Sequence, residues 1–114
     1  MEFKIESSSP KDGTVVLKLI GEMDIYSSPQ LKDKTTALCQ QGIKNIILDL
    51  SHLKFVDSIG IGVIVASLMR TKEKNGQLVV VNPTASVERL MNIVGLFQLL
   101  KKYSSIEEAE KSLL

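Results

Sequence analysis

The chain has one cysteine and one histidine among its 114 residues, and these two scarcities remove whole classes of chemistry. Cys39 alone forms no intrachain disulfide, and one thiol with one imidazole does not supply a zinc site, so a reducing compartment is expected. An excess of charge of one sign is missing too. Fourteen basic residues face thirteen acidic ones, for a formal net charge of +1, and the lysines are scattered among glutamates and aspartates. No nucleic-acid partner is expected from such a balance. Long apolar runs are also absent. The longest, Ile59 to Ala66, contains two glycines and is far shorter than a membrane span. The first residues, Met1-Glu2-Phe3-Lys4, alternate charge with apolar character, unlike a signal peptide. A cytoplasmic protein without membrane insertion is the expectation.

What is present is an ordinary globular composition, 44% hydrophobic and 24% charged, in a length that suits one domain over residues 1–114. Met1, Phe3 and Ile5 alternate with Glu2, Lys4 and Glu6; after a turn-rich Ser8–Gly13 segment, Val15, Leu17 and Leu19 alternate again. This predicts an antiparallel hairpin. Ser28-Pro29 reads as an N-cap and first helical residue, with Leu31, Ala37 and Leu38 forming an apolar face up to Gly42. Ile43 to Leu50 is β-branched and apolar over most of its length, as a central strand covered on both faces would be. Ile61, Ile64, Val65 and Leu68 then recur at helical spacing, Asn75-Gly76 ends the pattern, and Leu78 to Val81 forms a short strand. Val87, Leu90, Met91 and Val94 make the stripe of another helix, stopped by Gly95. Phe97 to Tyr103 is assigned a last strand, and Ser105-x-x-Glu108 is a capping box opening a final helix with Ile106, Ala109 and Leu113. The fold class is therefore α/β in the order ββαβαβαβα: a mixed sheet that opens with an antiparallel hairpin and continues with parallel strands, with about four helices packed against it, mainly on one face.

Chemistry concentrates in Phe55-Val56-Asp57-Ser58-Ile59-Gly60-Ile61-Gly62, a strand-to-helix connection. Ser58 is expected at the N-cap, its hydroxyl accepting from the amide of Gly60 or Ile61, so that Ser58→Ala would cost about 1 kcal/mol. Gly60 and Gly62 each cost roughly 0.8 to 1 kcal/mol of helix propensity relative to alanine. Either the backbone packs closely against a strand there, or the surface must admit another molecule. A dinucleotide site is discounted, because Val65 stands at the third glycine position and Val80 and Val81 where an acidic residue belongs. Catalysis by Ser58 is discounted as well: His52, read as a loop histidine after the strand, is the sole candidate base, and there is no Gly-x-Ser-x-Gly elbow. Asp49 suggests a receiver domain, but the first strand lacks the terminal carboxylate pair that would hold magnesium. Neither catalytic residues, metal ligands nor a cofactor are expected. Gly21-Glu22-Met23-Asp24, read on local chemistry, is a polar loop with a glycine turn.

Those two segments together carry a resemblance. Gly21-Glu22-Met23-Asp24 resembles the Gly-Glu-Leu-Asp signature of STAS domains, and Asp57-Ser58-Ile59-Gly60-Ile61-Gly62 resembles their Asp-Ser-(Ser/Thr/Ala)-Gly-Leu-Gly phosphorylation motif. Asn82-Pro83 and Val94-Gly95-Leu96 add two further echoes in order, so that the likeness spans nearly the whole chain. A short domain of this kind, with serine directly after the motif aspartate, is similar to the anti-sigma factor antagonists. The resemblance implies a non-enzymatic partner switch: the unphosphorylated protein binds an anti-sigma factor that is also a serine kinase of the GHKL type, releasing a sigma factor. Phosphorylation at Ser58 ends the binding and a PPM-type serine phosphatase restores it. Asp24, Asp57, Ile59, Gly60, Ile61 and Gly62 would form the partner surface. Ile59 departs from the small residue usual there; it either packs inward or narrows the choice of partner. A second implied role is that of a STAS adaptor in an ABC lipid-transport complex or a stress-signalling scaffold.

Overall fold

A computed structural model describes residues 2–113. The elements run β1 (Phe3–Lys11), β2 (Thr14–Met23), α1 (Ser28–Gln40), β3 (Asn45–Val56), α2 (Ser58–Glu73), β4 (Gln77–Val81), α3 (Ala85–Ile93), a 3-10 turn (Leu96–Gln98), β5 (Lys102–Tyr103) and α4 (Ile106–Ser112). One five-stranded sheet in the order β1-β2-β3-β4-β5 holds them together. β1 and β2 are antiparallel, and every later pairing is parallel. The hairpin-then-parallel mixed sheet and four helices expected from the sequence are therefore present.

Alternation along the strands divides the interior into two layers. Val15, Leu17, Leu19, Ile46, Leu48, Leu50, Leu78 and Val80 point to one side, where Leu31 and Leu38 of α1, Ile64 and Leu68 of α2, and Val87 and Met91 of α3 cover them. Val16, Ile47, Val79 and Val81 point to the other, beneath Ala109 and Leu113, the latter just past the end of α4. β3 is buried on both faces over Ile46–Leu50, and the stretch is accordingly apolar except at Asp49.

Several boundaries differ from the sequence expectation. β1 continues through Ser9 and Pro10 to Lys11, so the turn shrinks to Asp12-Gly13; the Met1 end of the alternation lies outside the described residues. α1 begins at Ser28, with Ser27 in the N-cap position and Pro29 in the first turn. β3 runs on to Val56, which places His52 inside the strand opposite Ile20 instead of in a loop. The expected strand at 97–103 is only Lys102–Tyr103: buried Leu96 and Leu100 are four apart, and Leu100 N–H donates to the Leu96 carbonyl at 3.0 Å, which makes a helical turn. Val94 lies just past α3 and is half-exposed, while the Ser105 hydroxyl accepts from Glu108 N–H at 3.0 Å, as the capping box requires.

Candidate functional site

β2 and β3 are parallel, and their last residues, Met23 and Val56, are register partners. Asp24 and Asp57 therefore leave the sheet side by side, tied by Asp57 N–H donating to the Met23 carbonyl at 3.2 Å. The strand that delivers Asp24 passes through Gly21, beside which the register with β3 shifts because β3 carries Lys54 as an extra residue. Gly21 has φ +104°, and a Cβ there would lie 2.1 Å from the Glu2 carbonyl oxygen. Neither the left-handed backbone nor the close approach of β1 accommodates a side chain. Gly21-Glu22-Met23 is thus the end of strand β2, not the polar loop that its composition suggests.

Asp24 closes the turn that follows. Its Oδ1 accepts from Tyr26 N–H at 2.9 Å, Ser27 N–H at 3.0 Å and the Ser27 hydroxyl at 3.1 Å. The Ser27 N–H, with help from Tyr26 N–H and the Ser27 hydroxyl, holds the carboxyl below its ordinary range; partial burial opposes them.

Asp57, not Ser58, caps α2. Its backbone is extended, and its Oδ1 accepts from Gly60 N–H at 2.8 Å. An aspartate and a serine compete for one cap here, and the residue with the extended backbone takes it. Ser58 becomes the first helical residue, exposed and free of the cap. The sequence-based assignment of the cap to its hydroxyl is corrected accordingly.

Two questions left open by the sequence have structural answers. Gly60 is buried, and a Cβ on it would sit 2.5 Å from Val56 Cγ2 and 2.9 Å from the Met23 carbonyl oxygen, so it seats the helix start on the strand ends. Gly62 is exposed with nothing within 4 Å of its would-be Cβ. Ile61 is buried in the core, whereas Ile59 is 47% exposed and does not pack inward. Sequence reasoning missed Ile25 and Tyr26, 55% and 88% exposed, in the Asp24 turn, and the exposure of Phe55, 47%, opposite Glu22. The available signal was a pair of apolar residues in turn-forming chain directly after the first motif. Thr84, after Asn82-Pro83, ties the start of α3 to this region by donating its hydroxyl to the Leu53 carbonyl at 3.1 Å.

His52 and Asp49 stand apart from Ser58 on β3; His52 Nδ1 is 2.9 Å from the Ser51 hydroxyl, and Asp49 accepts from Ser51 N–H at 3.1 Å. Among the described residues no three His, Cys, Asp or Glu side chains are grouped to hold a metal ion, and no helix is long and apolar enough to cross a membrane.

Residues 9–109 match the model of the STAS domain family. The anti-sigma-B factor antagonist of Staphylococcus aureus is 29% identical over 100 residues, covering 88% of this chain and 92% of that protein. The anti-sigma F factor antagonist of Paenibacillus polymyxa is 29% identical over 106 residues, covering 92% and 90%. Among solved structures, the anti-sigma factor antagonist SpoIIAA in its unphosphorylated form superposes with a TM-score of 0.82 at 26% identity, covering 96% of this chain and 95% of that one. With the end of β2, the paired aspartates and the Ser58 helix start in the places the two motifs occupy, the chain belongs to the STAS domain family.

Proposed function

We propose that this protein is a cytoplasmic anti-sigma factor antagonist, a single STAS domain over residues 1–114 whose binding is controlled by phosphorylation of Ser58. In its unphosphorylated form it binds an anti-sigma factor that is also a GHKL-type serine kinase and so frees a sigma factor; the kinase modifies Ser58, and a PPM-type phosphatase reverses the step. The protein itself catalyses nothing. The observation that carries this reading is the exposed Ser58 hydroxyl at the start of α2, free of the cap and within reach of a second protein's active site. Two named relatives and a structural neighbour of anti-sigma factor antagonist type support the choice of partner.

The surface offered to the partner is the Asp57–Gly62 helix start with the adjoining Asp24 turn. Asp24 and Asp57 spend carboxylate oxygens on their own backbone, which makes them positioning residues for the turn and the cap. The free apolar area comes from Ile25, Tyr26 and Ile59. A phosphate on Ser58 brings about −1.5 to −2 charges beside Asp57 and Asp24. If covering it costs about 3 to 4 kcal/mol in repulsion and desolvation, affinity falls by about two to three orders of magnitude.

The test begins with tagged wild-type protein, used to recover the partner from the native cell. Titration of that partner should show tight binding by wild type and Ser58→Ala and weak binding by Ser58→Asp. Equal binding by Ser58→Asp, or a recovered partner that leaves Ser58 unmodified in the presence of ATP, removes the proposed switch.

A further inference from the structure

The two edges of the sheet differ in what they leave open. β5 offers two residues, whereas β1 offers nine and is paired on its inner side alone. An open strand presents a row of backbone N–H and C=O groups to any strand that fits it. The far half of β1 is closed to such pairing: Pro10 has no N–H to give, and the register with β2 breaks between Ser8 and Lys11. The near half, Phe3 to Ser8, runs in unbroken antiparallel register.

Charges on that half select one partner. Lys4 and Glu6 share a face, with side chains 66% and 53% exposed and Nζ 3.3 Å from Oε2. Phe3 and Ile5 turn to the opposite face, half-buried against the larger core layer. When two copies of one edge join antiparallel about a twofold axis and keep their faces continuous, directly opposed residues share a face, so the axis passes through a residue. Within Phe3–Ser8 only axes at Ile5 and Glu6 align five residues of each copy. An axis at Glu6 sets two carboxylates against each other. An axis at Ile5 sets Lys4 of each copy opposite Glu6 of the other, places Ile5 on Ile5, and leaves Phe3 beside Ser7.

The geometry points to β1 as a self-association edge: two copies of this chain join antiparallel through Phe3–Ser7 into one continuous sheet, held in register by two Lys4–Glu6 pairs. The assembly carries two Ser58 sites and does not depend on what Ser58 binds. A contact of one strand against one strand is small, so the dimer is weak and reversible.

Sedimentation equilibrium at low ionic strength, where exposed pairs are least screened, over concentrations up to about 1 mM, tests this directly. Wild type should show a reversible monomer–dimer equilibrium. Lys4→Glu opposes carboxylate to carboxylate and Glu6→Lys opposes ammonium to ammonium; each alone should weaken association by at least about tenfold. Mixed in equal amounts, the two variants are complementary and should associate again, and the double exchange in one chain should restore the wild-type behaviour. Thermal melts confirm that each variant is folded, and should one single variant fail to fold, the other and the double exchange decide the matter. A wild type that stays monomeric throughout, a dimer indifferent to both single substitutions, or single variants that do not associate when mixed would overturn the proposal.

Discussion

Gly60 and Gly62 lie two residues apart on one helix turn, yet their replacement by alanine should shift stability in opposite directions. At Gly60 the new methyl would meet Val56 Cγ2 at 2.5 Å and the Met23 carbonyl oxygen at 2.9 Å, in a place where Val56 and Met23 are 3% and 0% exposed. Val56 can rotate, but the Met23 carbonyl also accepts Asp57 N–H and belongs to the sheet. Overpacking of this kind costs about 1 to 3 kcal/mol, against a helix-propensity gain of about 0.8 to 1 kcal/mol. The net effect of Gly60→Ala is a loss of up to about 2 kcal/mol. At Gly62 nothing stands within 4 Å of the added carbon, so the propensity gain remains unopposed. Gly62→Ala should raise the melting temperature by about 3 to 5 °C and Gly60→Ala should lower it, by scanning calorimetry on the isolated protein. A Gly62→Ala variant that melts below wild type, or a Gly60→Ala variant that melts above it, refutes the assignment of close packing to one glycine and open surface to the other. If the open surface is where a partner sits, the more stable Gly62→Ala variant should also bind that partner less well.

Asp57→Ala should lose about 1 kcal/mol of stability in denaturant unfolding, Asp57→Asn should keep most of it, and Ser58→Ala should be close to neutral; a larger loss at Ser58 than at Asp57 would return the cap to the serine. The Asp24 carboxyl, followed by NMR through an acid titration, should titrate below the ordinary aspartate range, because the Ser27 and Tyr26 N–H groups donate to its ionised form. Because its pKa is depressed in the folded state, the stability it contributes is fully present above the unfolded value and is lost as pH falls through the folded one; Asp24→Asn should flatten that part of the acid-unfolding curve.

The larger features of the fold were legible because they rest on burial. Alternation in Val15, Leu17 and Leu19 and the run Ile46–Leu50, apolar except at Asp49, state directly which faces are covered. The second half of β3 was not legible. β4 pairs with β3 only as far as Asp49, and beyond it β2 is the sole neighbour, so Leu53 and Val56 are buried while His52, Lys54 and Phe55 are exposed. A strand that loses a neighbour midway loses its apolar run with it and looks like a connection. The cap at α2 was illegible for a different reason: Asp57 and Ser58 are both favoured capping residues, and only the backbone at Asp57 decides between them. Ile25 and Tyr26 escaped notice, and the direction of Ile59 stayed open, because these residues follow no period and exposure of an apolar side chain cannot be read from its identity.

Assigning the cap to Asp57 bears on how a modification at Ser58 can act. Were the serine hydroxyl the cap, esterifying it would disturb the helix start, and stability and binding would change together. With the cap held by Asp57 Oδ1 and the helix start seated by Gly60 on Val56 and Met23, the Ser58 side chain takes no part in fixing the site's shape. A phosphate added there lies at the N-terminal end of a sixteen-residue helix, whose dipole favours negative charge by about 0.3 to 1 kcal/mol. The effect on the fold should be small and favourable, while the proposed effect on a covering partner is large and unfavourable. Under the proposed switch, such a division would let the chain be modified and reset at a nearly fixed stability, whereas a cap serine in the same position would couple each modification to the helix start.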